Sequence, residues 1–70
     1  MGKELPFTNS IAELRKDRKI TQQELADAIG MTRQTIVAIE KGKYSPSLEA
    51  AFKIAHVLEQ DLENVFIWKT

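Results

Sequence analysis

Residues 21–47, TQQELADAIGMTRQTIVAIEKGKYSPS, hold two short helical patterns with almost nothing between them. Thr21 followed by Glu24 has the capping-box spacing, in which each residue satisfies a backbone N–H of the other. Leu25, Ala26 and Ile29 then recur at helical spacing. Gly30 suits the left-handed conformation that ends a helix. Only Met31 separates it from Thr32, a second capping residue, and the next helix is expected over about 33–41. Ile36 and Ile39, three apart, give that helix one apolar face. Two helices locked this closely must cross and pack on each other.

The rest of the chain reads in the same terms. Asn9 and Ser10 can cap a first helix with Ile11, Leu14 and Arg15 on one side, and RKDRK closes it with cations that suit the helix dipole. Gly42 ends the third helix. Pro46 and Ser47 open a fourth with a stripe of Leu48, Ala51, Ala55 and Leu58, with Phe52 and Ile54 beside it. Asp61 is expected to cap a short fifth helix through Leu62, Val65 and Phe66. KELPF and VFIWK are short and compatible with extended structure, and can pair as an antiparallel ribbon, although Pro6 removes one ladder donor. The expected fold is mainly α, five helices with a small ribbon, in one domain over residues 1–70.

Seventy residues lie near the lower limit for a single hydrophobic core. With no cysteine and one histidine, disulfides and metal sites cannot supply the missing stability, so a partner subunit is the leading candidate. No metal or other cofactor is expected. The longest apolar run, VFIW, is far short of a membrane span, and the N-terminus lacks an apolar segment of signal-peptide length. A cytoplasmic protein is expected.

Ten basic and ten acidic residues cancel, which argues against an indiscriminate polyanion binder. Their distribution is uneven. Residues 31–45 carry a net +2, where Arg33, Lys41 and Lys43 face only Glu40, and residues 46–70 carry a net −2. The third helix thus begins with hydrogen-bonding side chains and leaves through cations.

Two helices joined by a tight glycine turn are the helix-turn-helix signature, whose second helix enters the DNA major groove. Arg33 can pair bidentately with guanine and Gln34 with adenine, while Thr35 can donate, accept or meet a thymine methyl. Ala38 lets the helix approach closely. Lys41 and Lys43 fall where phosphates flank the groove, and Gln22 can present its amide to a phosphate. Each feature also has a plain reading, as a solvated helix start and an ordinary helix exit. Their combination is the specific signal.

Residues 9–66, through LRKDRKITQQELADAIGMTRQTIVAIEKGKYSPSLEAAFKIAHVL and DLENVF, resemble the Cro/phage-repressor (XRE-type) helix-turn-helix family. The ending further resembles short stand-alone repressors of the cytolysin repressor type. The resemblance implies a five-helix lambda-repressor-like domain, a homodimer and an inverted-repeat operator in double-stranded DNA. It implies phosphate contact by Gln22, base and backbone contact by Thr32, Arg33, Gln34 and Thr35, and phosphate contact by Lys41 and the loop with Lys43 and Tyr44. Tyr44 could equally plug that loop. It also implies a partly buried salt bridge between Arg15 and Glu40. Glu59 and Gln60 depart from the usual glycine–hydrophobic pair, so a longer or more helical connection is expected there.

Phe66, Ile67 and Trp68, within a dimerisation segment at 62–70, either pack on the chain's own core or form the dimer interface, with Phe52 and Ile54 as natural partners. The interface is the favoured reading. His56 is expected at the surface. A rival function on the same fold is an antitoxin or protein-interaction module that grips a protein partner. No nucleophile–base pair or phosphate-cradling glycine loop is present, so an enzyme is not expected.

Overall fold

The computed structural model describes residues 5–69. In chain order the elements are β1 (Phe7–Asn9), α1 (Ile11–Asp17), α2 (Gln22–Ile29), α3 (Arg33–Glu40), α4 (Leu48–Val57), α5 (Leu62–Val65) and β2 (Phe66–Trp68). The fold is mainly α with a two-stranded antiparallel ribbon. No helix among the described residues is long and apolar enough to cross a membrane.

The helix starts follow their capping residues. At α2 the Thr21 hydroxyl accepts the Glu24 N–H at 3.0 Å and the Glu24 carboxylate accepts the Thr21 N–H at 2.8 Å. Thr32 caps α3 by accepting the Thr35 N–H, and Ser47 caps α4 by accepting the Ala50 N–H. The first helix divides the expected roles. Ser10 holds the cap position without a side-chain bond, and Asn9 Oδ1 accepts the Ile11 N–H. Asp61 precedes α5 but its carboxylate makes no cap bond; its backbone carbonyl accepts the Asn64 N–H instead.

Four helices end in one motif, a left-handed residue followed by an N–H that reaches back to the carbonyl five residues earlier. Gly30 and Gly42 occupy that position after α2 and α3. Lys19 and Glu59 occupy it after α1 and α4, at φ of 59° and 56°. The reach-back bonds run from Ile20 N–H to the Arg15 carbonyl and from Gln60 N–H to the Ala55 carbonyl. The longer connection expected at Glu59 is therefore absent. Glu59 takes the glycine's backbone conformation, and its carboxylate pairs with Arg18 at 2.7 Å on the surface. A side chain in that conformation costs about 1–2 kcal/mol, while glycine loses more entropy on folding, by about 0.4–1 kcal/mol. Lys19→Gly should therefore raise stability by about 0.5–1 kcal/mol. A urea midpoint that falls would contradict it.

The core is built from Ile11, Leu25, Ile36, Ile39, Ile54, Leu58 and Val65, all essentially without solvent contact. Of the expected α4 stripe, Ala51, Ala55 and Leu58 are buried, joined by Ala50 and Ile54, so the buried side turns away from Leu48 only. Leu48 is 68% exposed and Phe52 lies beside it in solvent. The rotation follows the alanines: their small side chains let α4 lie close to its neighbours, and Ile54 fills the space between.

The ribbon pairs Phe7 with Trp68, Thr8 with Ile67 and Asn9 with Phe66. Its first strand starts later than KELPF suggested. Pro6 precedes the strand, where its missing N–H is not needed, and its carbonyl accepts the Lys69 N–H at 2.9 Å. Lys3 and Glu4, and Thr70 of the expected dimerisation segment, lie outside the described residues. Phe7 and Phe66 meet edge to face with centroids 6.0 Å apart, which fixes the ribbon's inner side.

Candidate nucleic-acid interface

The geometry of α3 follows from which of its sides is buried. Ile36 and Ile39 enter the core beside Leu25, Ala26 and Ile29 of α2. Arg33 and Gln34 are consequently exposed, and Thr35, Val37 and Ala38 are half-buried along the flank. Thr32, Gln34, Thr35, Ala38, Lys43 and Tyr44 line one open depression of about 330 Å³. The head of α3 and the loop after its tail are thereby brought together. Arg33 stands outside this depression. Lys41 lines a different one, toward the ribbon, with Gly42, Phe7 and Lys69.

Three side chains clamp the tail of α3. Arg15 Nε donates to Glu40 Oε2 at 2.9 Å, and its Nη1 donates to the Ile20 carbonyl at 2.9 Å. The pair is buried, with side chains 10% and 9% exposed. Gln22 Nε2 donates to the second carboxylate oxygen, Glu40 Oε1, at 3.0 Å. Glu40 thus ties α1 and the head of α2 to the end of α3. It also neutralises Arg15, so the exposed cations of this region are Arg33, Lys41 and Lys43. One of the two amide hydrogens of Gln22 is already engaged, which holds the group in place rather than leaving it to swing.

Asn9 completes the clamp. Its Nδ2 donates to the Ile39 carbonyl at 2.9 Å, while its Oδ1 caps α1. A single side chain joins the ribbon, the start of α1 and the last turn of α3. Sequence reasoning placed Asn9 at a helix start, which holds, but nothing local signals a partner thirty residues away.

Of the residues expected at a dimer interface, Phe52, Ile67 and Trp68 are exposed and Phe66 is half-buried against Phe7. Ile54 is a correction. It has no exposed surface, because it fills the space between α4 and the rest of the core, and a partner cannot reach it. His56 is exposed, beside Phe52 on a shallow apolar groove between α2 and α4.

The sequence profile of the helix-turn-helix family matches residues 11–64, most of the chain, from the start of α1 into α5. The protein belongs to the helix-turn-helix family of XRE/Cro-like transcriptional regulators. This regulator is 53% identical to an uncharacterised HTH-type transcriptional regulator of Methanothermobacter thermautotrophicus, over 81% of its own length and 84% of the relative's. It is 43% identical to the cryptic phage CTXphi transcriptional repressor RstR of Vibrio cholerae, over 70% of its own length and 44% of that protein's. A crystal structure of a putative DNA-binding protein from Bacteroides fragilis superposes with a TM-score of 0.79 at 27% identity, covering 86% of this chain and 97% of that one. Family membership makes the protein a DNA-binding regulator and not an enzyme.

Proposed function

We propose that this regulator is a cytoplasmic homodimeric repressor that reads an inverted-repeat operator in double-stranded DNA. The observation that carries the reading is the two-sidedness of α3: isoleucines in the core, Arg33 exposed, and Gln34 and the Thr32–Thr35 pair lining one depression with Lys43 and Tyr44. In this reading the chain is one domain over residues 1–70, with its helix-turn-helix at 21–40. Arg33 and Gln34 read base edges. Lys41, Lys43, the Tyr44 hydroxyl and the remaining amide hydrogen of Gln22 hold phosphates. Arg15 and Glu40 do not touch DNA; they hold α3 at its angle. Residues 62–69, through Ile67 and Trp68, face the second copy together with Phe52, and two copies of α3 enter successive major grooves roughly 34 Å apart. RstR is named a transcriptional repressor, which supports the sign of the regulation.

Selection of binding sites from a random DNA pool tests the reading. The expected product is an inverted repeat with half-sites about one helical turn apart. No enrichment, from folded protein at low salt, would favour a protein-partner module, for which exposed Leu48 and Phe52 offer a surface. Two substitutions separate the roles. Arg33→Ala should lose about 1–3 kcal/mol and relax the preference at one base position. Lys43→Ala should weaken binding to every sequence alike and lower the salt slope by about one unit. If the two variants behave alike, the division between base and phosphate contact is wrong.

A further inference from the structure

The two hydroxyls at the head of α3 form a pair whose polarity the protein leaves open. Thr32 Oγ1 lies 3.0 Å from Thr35 Oγ1, and either oxygen can donate. Thr32 Oγ1 also accepts the Thr35 backbone N–H at 3.2 Å. A hydroxyl has one proton and two lone pairs. Thr32 has therefore committed one lone pair to the backbone and keeps one lone pair and its proton. Two arrangements remain. If Thr32 donates to Thr35, the Thr35 proton points outward and Thr35 can donate to a ligand. If Thr35 donates to Thr32, the Thr32 proton points outward and Thr35 offers only lone pairs.

A bound duplex selects between them. Thr32 is exposed at the positive end of α3 and shares its depression with the Lys43 side chain. A cation beside a helix N-terminus favours a phosphate at that rim. Phosphate oxygens only accept, so Thr32 must meet one by donating its proton. Thr35 must then donate to Thr32, and toward the groove it becomes an acceptor alone. In the major groove adenine N6 and cytosine N4 donate, whereas guanine O6 and thymine O4 accept.

We propose that Thr35 is a specificity-determining residue that selects an amino base, adenine or cytosine, over a keto base at one position of each half-site, with its polarity set by a phosphate held at Thr32. This inference rests on the reading that α3 enters the major groove. It differs from the assignment of Arg33 and Gln34 in that the preference belongs to a coupled pair.

The test repeats the random-pool selection with the wild type, Thr35→Val, Thr35→Ser, Thr32→Val and Thr32→Ser, each checked for folding by circular dichroism. Wild type, Thr35→Ser and Thr32→Ser should prefer an amino base at one position per half-site by about fivefold or more. Thr35→Val should lose that preference and keep the others. Thr32→Val should bind more weakly overall and, with the Thr35 proton released, let keto bases into the same position. A loss of helix capping alone would lower affinity for all sequences and leave every preference intact. That result for Thr32→Val would overturn the proposal, as would a keto preference in the wild type or no positional change in Thr35→Val. No enrichment by the wild type would overturn the groove reading itself, which is a distinguishable failure.

Discussion

Replacing Arg15 by alanine is expected to lower stability by about 3–5 kcal/mol. The reason is what it leaves behind. Glu40 is 9% exposed, and its carboxylate would retain only the Gln22 amide as a partner. The Ile20 carbonyl would lose the Nη1 donor as well. A small domain has about 5–15 kcal/mol in total, so the variant should sit close to unfolding at room temperature. Urea denaturation measures the loss directly. The double variant Arg15→Met with Glu40→Leu should recover most of it, because a buried ion pair can be exchanged for packed apolar groups at little net cost. Its DNA binding should stay impaired, since neither apolar side chain can hold Gln22. A double variant that recovers both stability and binding would show that the clamp has no part in presenting α3.

Ile54→Ala is expected to cost about 2–5 kcal/mol, the range for truncating a fully buried branched side chain. The same figure should appear at any protein concentration, because Ile54 lies inside the protomer. Trp68→Ala should behave in the opposite way. Trp68 is 64% exposed, so the protomer should remain folded, while light scattering should show monomers in place of dimers. If Ile54→Ala instead dissociates a dimer without destabilising the protomer, the core assignment fails. If Trp68→Ala leaves a dimer, the interface lies elsewhere.

These two residues mark where sequence reasoning reached its limit. Both are large and apolar near the C-terminal half, and composition cannot tell a core residue from an interface residue. The discriminating fact is the rotation of α4, set by Ala50, Ala51 and Ala55 together. The expected stripe held at Ala51, Ala55 and Leu58, but it put Leu48 inside and left Ile54 beside it. The helix boundaries were more legible, because capping is local chemistry: Thr21, Thr32 and Ser47 each act within three residues. The end of α1 was legible within RKDRK, but the left-handed residues that close the helices were legible only where glycine marks them. Lys19 and Glu59 adopt the same left-handed conformation without a residue type that announces it. The candidate DNA face was legible because periodicity alone separates Ile36 and Ile39 from Arg33 and Gln34. The ties from Asn9 and Gln22 to the end of α3 were not, since each joins elements far apart in the chain.

The ribbon has a consequence for the order in which the chain takes shape. Most neighbours in this protein are close in sequence, as the paired helices are, but Phe7 and Trp68 stand almost a full chain apart. During synthesis β1 leaves the ribosome first and has no partner until residues 66–68 have cleared the exit tunnel. Contacts that close so large a loop are entropically late. The helix-turn-helix can therefore assemble on the nascent chain while the strand that carries Asn9 still waits. The last turn of α3 receives the Asn9 hydrogen bond only as the two strands meet, so this helix is completed last, by a strand that is made before it.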